Sequence, residues 1–342
     1  MHRVTSTITI KIARAEEFLI KLLDYCEMHC SMCGQLAQGH RRARLSFLSL
    51  NLAFASAELH GKRVYLWGGE PMLHPEIIDI IRLFKAKGAL VGINTNGHAI
   101  EPQIEQIVAL RLDRLIFSLD GVDAATHDQI RRSKGSFDTV LRSIRLLRGL
   151  TSGCSEPLIR INFVVLPQNY HQIPRFIELC HDLGVYKLHL QLPMFFSENS
   201  LLKHSAFLRS QLEITVRNYA AFVNDYSEID FDELHTTMLA VAAHHMPFAQ
   251  FYPYPKLSRD GLRMYFTGTT PFLGCVCDVL HEKLAVDSSG ALVTCPDFPD
   301  VSFGTIFDGV TKPEHLLWIR KRMAHVPPLP ACSRCCHYVP RI

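Results

Sequence analysis

Three cysteines, Cys26, Cys30 and Cys33, stand in a Cys-x3-Cys-x2-Cys spacing just behind a short apolar run. Three thiolates on one tight loop suit a soft metal or an iron–sulfur cluster. Such a loop can hold three irons of a [4Fe–4S] cube and leave the fourth open, and an open metal position can take substrate or cofactor. A second group lies toward the other end: Cys275, Cys277, Cys295, Cys332, Cys335 and Cys336. Between the two groups stand Cys154 and Cys180. Cys180 falls within an amphipathic pattern and reads as a small buried hydrophobe. Cys154 follows Ser152-Gly153 and reads as a loop thiol.

Three polar motifs accompany the first group. In Gly68-Gly69-Glu70-Pro71, the glycines let backbone approach a ligand closely, and the carboxylate can receive a ligand ammonium. Asn94-Thr95-Asn96-Gly97 follows, then Ser118-Leu119-Asp120-Gly121 with His127, Asp128 and Arg131.

The elements that must position these residues are strand-length apolar runs ending in Gly, Pro, Asn or Asp. Phe18 to Leu23 leads into Cys26, Val64 to Trp67 into the glycine pair, Leu90 to Ile93 into Asn94, and Leu115 to Leu119 into Asp120. Ile159 to Leu166 and Leu188 to Leu192 end at Pro167 and Pro193. Helical periodicity lies between them at Pro75 to Lys87, Ser136 to Leu150 (with Ser136 as the expected N-cap) and Pro174 to Leu183. Alternating strand and helix predicts parallel βα units. Six such strands within residues 1–200 predict an α/β fold of partial barrel type, with its site at the C-terminal strand ends. An open doubly wound sheet is the competing architecture. Residues 201–270 read as a helical, then aromatic and turn-rich linker region. Residues 271–342 read as a small Cys-rich domain with a hairpin at Lys283 to Val286, Asp287-Ser-Ser-Gly and Ala291 to Thr294.

Composition narrows the function classes. The 342 residues carry 36 Lys plus Arg and 33 Asp plus Glu, a net +3. That balance argues against a nucleic-acid partner or an anionic membrane surface. Apolar residues at 48% and charged residues at 20% are globular composition. No apolar run reaches the roughly 18 residues of a membrane span, and the start has no signal-peptide apolar core. The eleven cysteines are therefore expected in a reducing cytoplasm, as metal ligands or redox groups rather than disulfides.

In their order and spacing, the cysteine loop, Gly-Gly-Glu-Pro, Asn-Thr-Asn-Gly, and Ser-Leu-Asp-Gly with His127, Asp128 and Arg131 resemble the radical SAM superfamily. The resemblance covers roughly residues 15 to 200. It implies a partial (β/α)6 TIM-like barrel and a [4Fe–4S] cluster on Cys26, Cys30 and Cys33 that chelates S-adenosylmethionine (SAM). It further implies that one electron cleaves SAM to methionine and a 5′-deoxyadenosyl radical, which takes hydrogen from a substrate C–H bond. Gly68, Gly69 and Glu70 would hold the methionine amino group, Ser118 the ribose and Arg131 the methionine carboxylate. Asn94 and Asn96 would lie in the floor of the site, and Gln191-Leu192-Pro193 would approach the adenine. Met32 departs from the aromatic residue often found before the third cysteine, and methionine can fill that space.

The tail resembles a SPASM/Twitch-type auxiliary-cluster extension, through Cys277, the Asp287-Ser-Ser-Gly hairpin, Cys295-Pro, Gly304-Thr-Ile and Cys332-x2-Cys335. Six tail cysteines, against seven in a full two-cluster region, imply one auxiliary [4Fe–4S] cluster. Its expected ligands are Cys277, Cys295, Cys332 and Cys335, with Cys275 able to replace Cys277 and Cys336 able to replace Cys335. A structural zinc knuckle is the alternative for the tail. The expected function is radical C–H chemistry on a small alcohol or sugar in natural-product biosynthesis. The alternatives are ribosomal-peptide cross-linking, oxidation or epimerisation, and a non-catalytic zinc or iron–sulfur binding protein. Few residues precede Phe18, so no leader-binding domain is expected in cis. An electron donor such as flavodoxin or ferredoxin is the expected partner. Arg160, Asn162 and Gln191 alternate along two strands and would contact substrate or satisfy one another. No catalytic acid, base or hydrogen donor is marked.

Overall fold

A computed structural model describes residues 16–35, 43–151, 157–214, 216–267, 275–277, 279, 283–308, 330–334 and 338–340. Seven strands run parallel and side by side in chain order: β1 (Glu17–Lys21), β2 (Arg63–Trp67), β3 (Leu90–Thr95), β4 (Arg114–Ser118), β5 (Leu158–Val164), β6 (Lys187–Gln191) and β7 (Ala249–Tyr252). Among the helices are α1 (Phe47–Ala53), α2 (Ile77–Ala86), α3 (Ile104–Ala109), α4 (Ala124–Arg131), α5 (Ser136–Leu150), α6 (Ile173–Asp182), α7 (Glu198–Leu212), α8 (Phe231–His244) and α9 (Arg259–Thr267).

The strands alternate with period two. Ile20, Leu66, Ile93, Phe117, Ile161 and Leu190 are fully buried in a core shared with Ile80 and Phe84 of α2, Val140 and Ile144 of α5 and Phe176 of α6. Each such side chain contributes about 1.5–3 kcal/mol by leaving water. The neighbours on the opposite face do something else. Tyr65, Asn94, Ile116, Asn162, His189 and Tyr252, one from each of β2 to β7, line a single cavity of about 540 Å³. Side chains from six successive strands meet around one space only if the sheet curls. The architecture is a partial TIM-like barrel, and the open doubly wound sheet is set aside.

Two features extend the six-strand expectation. β7 arises within the stretch read as a linker and pairs with β6 through Leu188↔Ala249 and Gln191↔Tyr252. Its four residues are too short to announce themselves among the prolines around them. On the other edge, β9 (Lys283–Val286) pairs parallel with β1, from Glu17↔Lys283 to Ile20↔Val286. β10 (Ala291–Val293) and β11 (Ser302–Thr305) continue the sheet antiparallel. The tail hairpin thus covers the exposed edge of β1, a common solution for a strand that would otherwise offer open backbone groups. β8 (Cys275–Cys277) and β12 (Tyr338–Pro340) form a separate two-stranded ribbon. Arg334, 1% exposed, docks the last described turn on the barrel: its Nε donates to Tyr265 O at 2.8 Å, and its guanidinium lies 4.3 Å from the Phe195 ring centre.

Ser136 is the first residue of α5 and not its cap. The cap position is Gly135, at φ 80°. The free N–H groups there are taken by Asp128, which accepts from Gly135 N at 2.6 Å and Phe137 N at 2.8 Å. The Ser136 hydroxyl turns instead to His127 Nε2, 2.8 Å away.

Candidate functional site

The cysteine loop leaves β1 and crosses the end of β2. Gly69 N donates to Leu23 O and Glu70 N to Tyr25 O, both at 2.8 Å. A Cβ on Gly68 would meet Leu23 O at 2.4 Å, and one on Gly69 would meet Tyr25 O at 1.8 Å. The glycine pair therefore serves first to let the cysteine loop's own backbone pass. The approaching group in the structure is the loop's own backbone, where the expectation was a ligand.

Glu70 is also used differently from the expectation. It is 1% exposed, and its carboxylate accepts from Met72 N (3.0 Å), Thr95 Oγ1 (2.7 Å) and Asn96 N (2.6 Å). Burial outweighs these bonds and pushes its pKa up to about 7. Glu70 ties the end of β2 to the end of β3, and its carboxylate is not presented to a ligand ammonium.

Asn96 and Arg131 reach two of the thiols. Asn96 Nδ2 lies 3.8 Å from Cys26 Sγ and donates to Glu27 Oε1 at 2.9 Å. Arg131, at the end of α4, places one Nη 3.7 Å from Cys30 Sγ and forms an ion pair with buried Asp120. Burial opposes the Arg131 charge, but Asp120 and Cys30 outweigh it and raise its pKa. Asp120 also accepts from Val164 N at 2.7 Å, which fixes it across two strand ends. Ser31 bonds Ile130 O through both its N and its Oγ, at 2.9 and 3.1 Å, and this pins the loop to α4. Burial pushes the Cys26 thiol up to about 12, with Glu27, Glu70 and Cys30 adding to the rise. Positive charge supplied at the sulfur would reverse that, as a coordinating metal does.

His127 accepts from Asp120 N at Nδ1, 3.0 Å away. Burial, with Arg131 and His98 adding to it, pushes its pKa down to about 3, so it is a neutral strut. Ser118 ends β4, is 8% exposed and pairs in register with Asn162. Asn94 lines the cavity and accepts from Asn162 Nδ2 at 3.4 Å. Arg160 Nε and one Nη both donate to Asn162 Oδ1 at 3.2 Å, so the alternating polar residues bond one another and also line the cavity. Leu192 departs from its expected role: its side chain is fully buried in the main core, and Gln191 is the neighbour that lines the cavity. Met32 packs against the main core. Of the aromatic run, Phe251 and Tyr254 are core residues and Tyr252 faces the cavity. The lining residues Tyr65, Trp67 and Arg114 were missed from sequence, although the period-two pattern of β2 and β4 puts them on the face of Asn94 and Asn162.

In the tail, Cys295 follows β10 and packs beside Phe196, Tyr219 and Phe298, accepting from Phe298 N at 3.4 Å. Burial, then the charges of Asp297 and Cys277, push its thiol well up. The next two residues, Pro296 and Asp297, line the barrel cavity. Cys332 lies in the short 3-10 turn Pro330–Arg334, and Cys277 pairs with Tyr338 across the β8–β12 ribbon. Cys154, Cys335 and Cys336 lie outside the described residues. Cys180 is fully buried in the core, as expected. Among the described residues, no three His, Cys, Asp or Glu side chains converge as they would around one ion. A cube seats each thiolate on a different iron, so its ligands stand further apart than those of a single ion. No helix of the described residues is long and apolar enough to cross a membrane.

The model of the radical SAM superfamily matches residues 20–180. The chain is 34% identical over 126 residues to an AdoMet-dependent heme synthase of Methanosarcina barkeri, covering 36% of this chain and 35% of that protein. It is 32% identical over 173 residues to a probable GTP 3′,8-cyclase of Methanopyrus kandleri, covering 49% and 54%. The chain thus spans between about a third and a half of the length of these curated relatives. Streptococcus suis SuiB bound to S-adenosylmethionine superposes with a TM-score of 0.63 at 15% identity, covering 97% of this chain and 71% of that one. The anSMEcpe structure with AdoMet and the Cp18Cys peptide gives 0.59 at 15% identity, covering 91% and 82%. At such identities the likeness is one of fold. The matched stretch runs from β1 through most of α6 and contains every strand end that braces the cysteine loop, and residues 20–180 are similar to the radical SAM superfamily over that stretch.

Proposed function

We propose that the chain is an enzyme that binds SAM at a [4Fe–4S] cluster on Cys26, Cys30 and Cys33 and acts on a small polar substrate held in the barrel. The carrying observation is that Asn96, just past β3, and Arg131, at the end of α4, both reach thiols of the loop that follows β1, while the same strands line the cavity. When bound, the cluster supplies one electron to the sulfonium of SAM, whose cleavage product abstracts hydrogen from the substrate.

The residues present fit such a group. Backbone Met28 N (3.5 Å), Asn96 Nδ2 and Arg131 Nη all approach cysteine sulfurs, and hydrogen bonds to sulfur tune a cluster. Buried Glu27 Oε2 and Arg131 Nε lack hydrogen-bond partners among the described residues. The methionine part of SAM carries an ammonium and a carboxylate, which suit an acceptor and a guanidinium donor respectively. In this reading Glu27 takes the role toward the ammonium that the buried Glu70 cannot, and Arg131 keeps the role toward the carboxylate. In the same reading Ser118, at the end of β4, is assigned to the ribose, and Asn94, which lines the cavity, to the floor of the site.

The cavity volume is in the range of small-molecule sites, which favours a small substrate. A peptide side chain entering the lumen is the second reading, favoured by the fold shared with SuiB, which has been captured with its precursor peptide SuiA. For the tail we propose one auxiliary [4Fe–4S] cluster on Cys277, Cys295, Cys332 and Cys335. Cys295 would place it immediately behind the lumen-lining Pro296 and Asp297, where it can exchange an electron with substrate.

The test is anaerobic reconstitution with iron and zinc analysis and a dithionite-driven SAM cleavage assay. Eight irons per chain, at four per cube, are expected, with release of 5′-deoxyadenosine. The triple Cys26/Cys30/Cys33→Ala variant should retain about four irons and release no 5′-deoxyadenosine. Unchanged cleavage by that variant overturns the reading, and zinc in place of tail iron overturns the auxiliary cluster.

A further inference from the structure

The lumen carries more positive charge than its own carboxylates neutralise. Four basic side chains line it, Arg63, Arg114, Arg160 and Lys283, against two acidic ones, Glu17 and Asp297. Glu17 is shared by Arg63, at 3.7 Å, and Lys283, at 3.3 Å. Among the described residues, neither Arg114 nor Arg160 has a carboxylate within 4.0 Å. Arg160 has only the neutral Asn162 oxygen as acceptor. His189 beside it offers no compensation, because burial and the neighbouring Arg160, Lys187 and Arg114 keep its ring neutral. Arg114 and Arg160 are half-buried, and Glu17 acts on Arg160 only at a distance; a cation drawn partly out of water with no carboxylate in contact is costly. Such a group is retained where something else supplies the negative charge.

The geometry points to an oxyanion-binding subsite: Arg160, with Arg114, receives a carboxylate or phosphoryl group of the substrate inside the barrel. A guanidinium offers parallel N–H groups that match both kinds of oxyanion. Arg160 stands two residues before Asn162 on β5, and Asn162 pairs in register with Ser118 at the end of β4. An anion held there anchors the substrate deeper in the barrel than the strand-end loops, and the remainder of the molecule extends toward them. Arg114 lies one strand over and two residues before Ile116, the register partner of Arg160. The inference deepens the proposed function, since it names the chemical class of substrate for the same site.

The test is calorimetric titration of the full chain with inorganic phosphate and, separately, with succinate. At least one of the two is expected to bind, at least tenfold more weakly to R160Q and more weakly to R114Q. R145Q, on the outer surface of α5, should bind as the wild type does. R160K should recover part of the loss, since it restores the charge without the fork. Without anion, R160Q should melt at or above the wild-type temperature, because it removes the uncompensated charge. Binding of phosphate alone assigns a phosphorylated substrate, of succinate alone a carboxylate, and of both a general oxyanion site. Binding of neither anion, or equal binding by R160Q and R114Q, overturns the proposal. SAM cleavage without substrate is read in parallel. R145Q should retain it, and a wild-type chain that binds the anion without cleaving SAM would overturn the radical reading and leave the oxyanion site standing.

Discussion

The two cysteine groups are held by different forces. The first rests on directional bonds: Gly69 and Glu70 amides to the loop carbonyls, Ser31 to α4, and Asn96 and Arg131 to the thiols. Behind it stands a second tier, in which Glu70 and Asp120 bond strand end to strand end and His127 ties α4 to the end of β4. The tail group rests mainly on packing. Cys295 sits beside an aromatic cluster of Phe196, Tyr219, Phe222 and Phe298, and the hairpin that carries it is an edge addition to β1. Polar bracing sets atoms to a narrow geometry, as a site that must orient a reacting molecule requires. Packing holds a segment in place with looser orientation, which suffices for electron exchange or support.

Substitutions that attack one kind of bracing should therefore leave the other region intact. The largest effect is expected for D120N, which strips the buried Arg131 of its counter-charge. Breaking a buried pair costs about 3–5 kcal/mol. Urea unfolding should show a loss of that order, and the first cluster should load poorly while the tail loads normally. Equal loss of iron from both groups would erase the contrast between them.

G69A comes next. Its Cβ would collide with the Tyr25 carbonyl at 1.8 Å, and forced overpacking costs about 1–3 kcal/mol. G149A, on α5, meets nothing within 4 Å and should instead stabilise by about 0.5–1 kcal/mol. Thermal melts of the two variants separate a position that needs glycine from one that merely has it.

The effect confined to acid conditions concerns pH. His127 and His204 are buried, and burial pushes their pKa values down to about 3 and about 4. Each is neutral when folded, while the unfolded chain takes up a proton below its ordinary value of 6.5. Their contribution is complete above pH 6.5 and is lost as pH falls toward the folded values. At pH 5 each should have lost about 2 kcal/mol. The two histidines then divide the regions. Neither ring nitrogen of His204 has a partner among the described residues, so H204F should leave stability at pH 7 unchanged or higher and flatten the acid side. H127F forfeits the bonds to Asp120 and Ser136 and should lose stability at pH 7 as well. Urea midpoints at pH 7 and pH 5 check both, and equal behaviour of the two variants would contradict the distinction between bonded and packed regions.

Much of the barrel was legible because both of its signals are local. Strand runs, helix periods and the Gly, Asn and Asp residues that end them fall within windows of a few residues, and the span of α5 was read from sequence although its cap was placed one residue late. β7 was not legible, since four residues carry little periodicity and its pairing partner β6 is about sixty positions away. Glu70 and Leu192 show the same limit at single residues. A carboxylate beside two glycines looks free to meet a ligand, and only the fold brings Thr95 and Asn96 to its oxygens. Leu192 shares its strand end with Gln191, and the pleat alone sends one to the core and the other to the cavity.

The sequence by itself determined which atoms are available for chemistry: three thiols at one spacing and a glycine pair, each just past a strand, and an arginine that follows Asp120 at the end of a helix. Those are properties of residue type and local order. Tertiary structure decided how the atoms are used. Closing the parallel sheet into a barrel put Arg114 and Arg160 in one lumen without a carboxylate in contact with either and turned Glu70 inward as a brace. It also laid the Cys295 hairpin against β1. Each of these outcomes depends on contacts between residues far apart in the chain, and such contacts leave no local pattern to read.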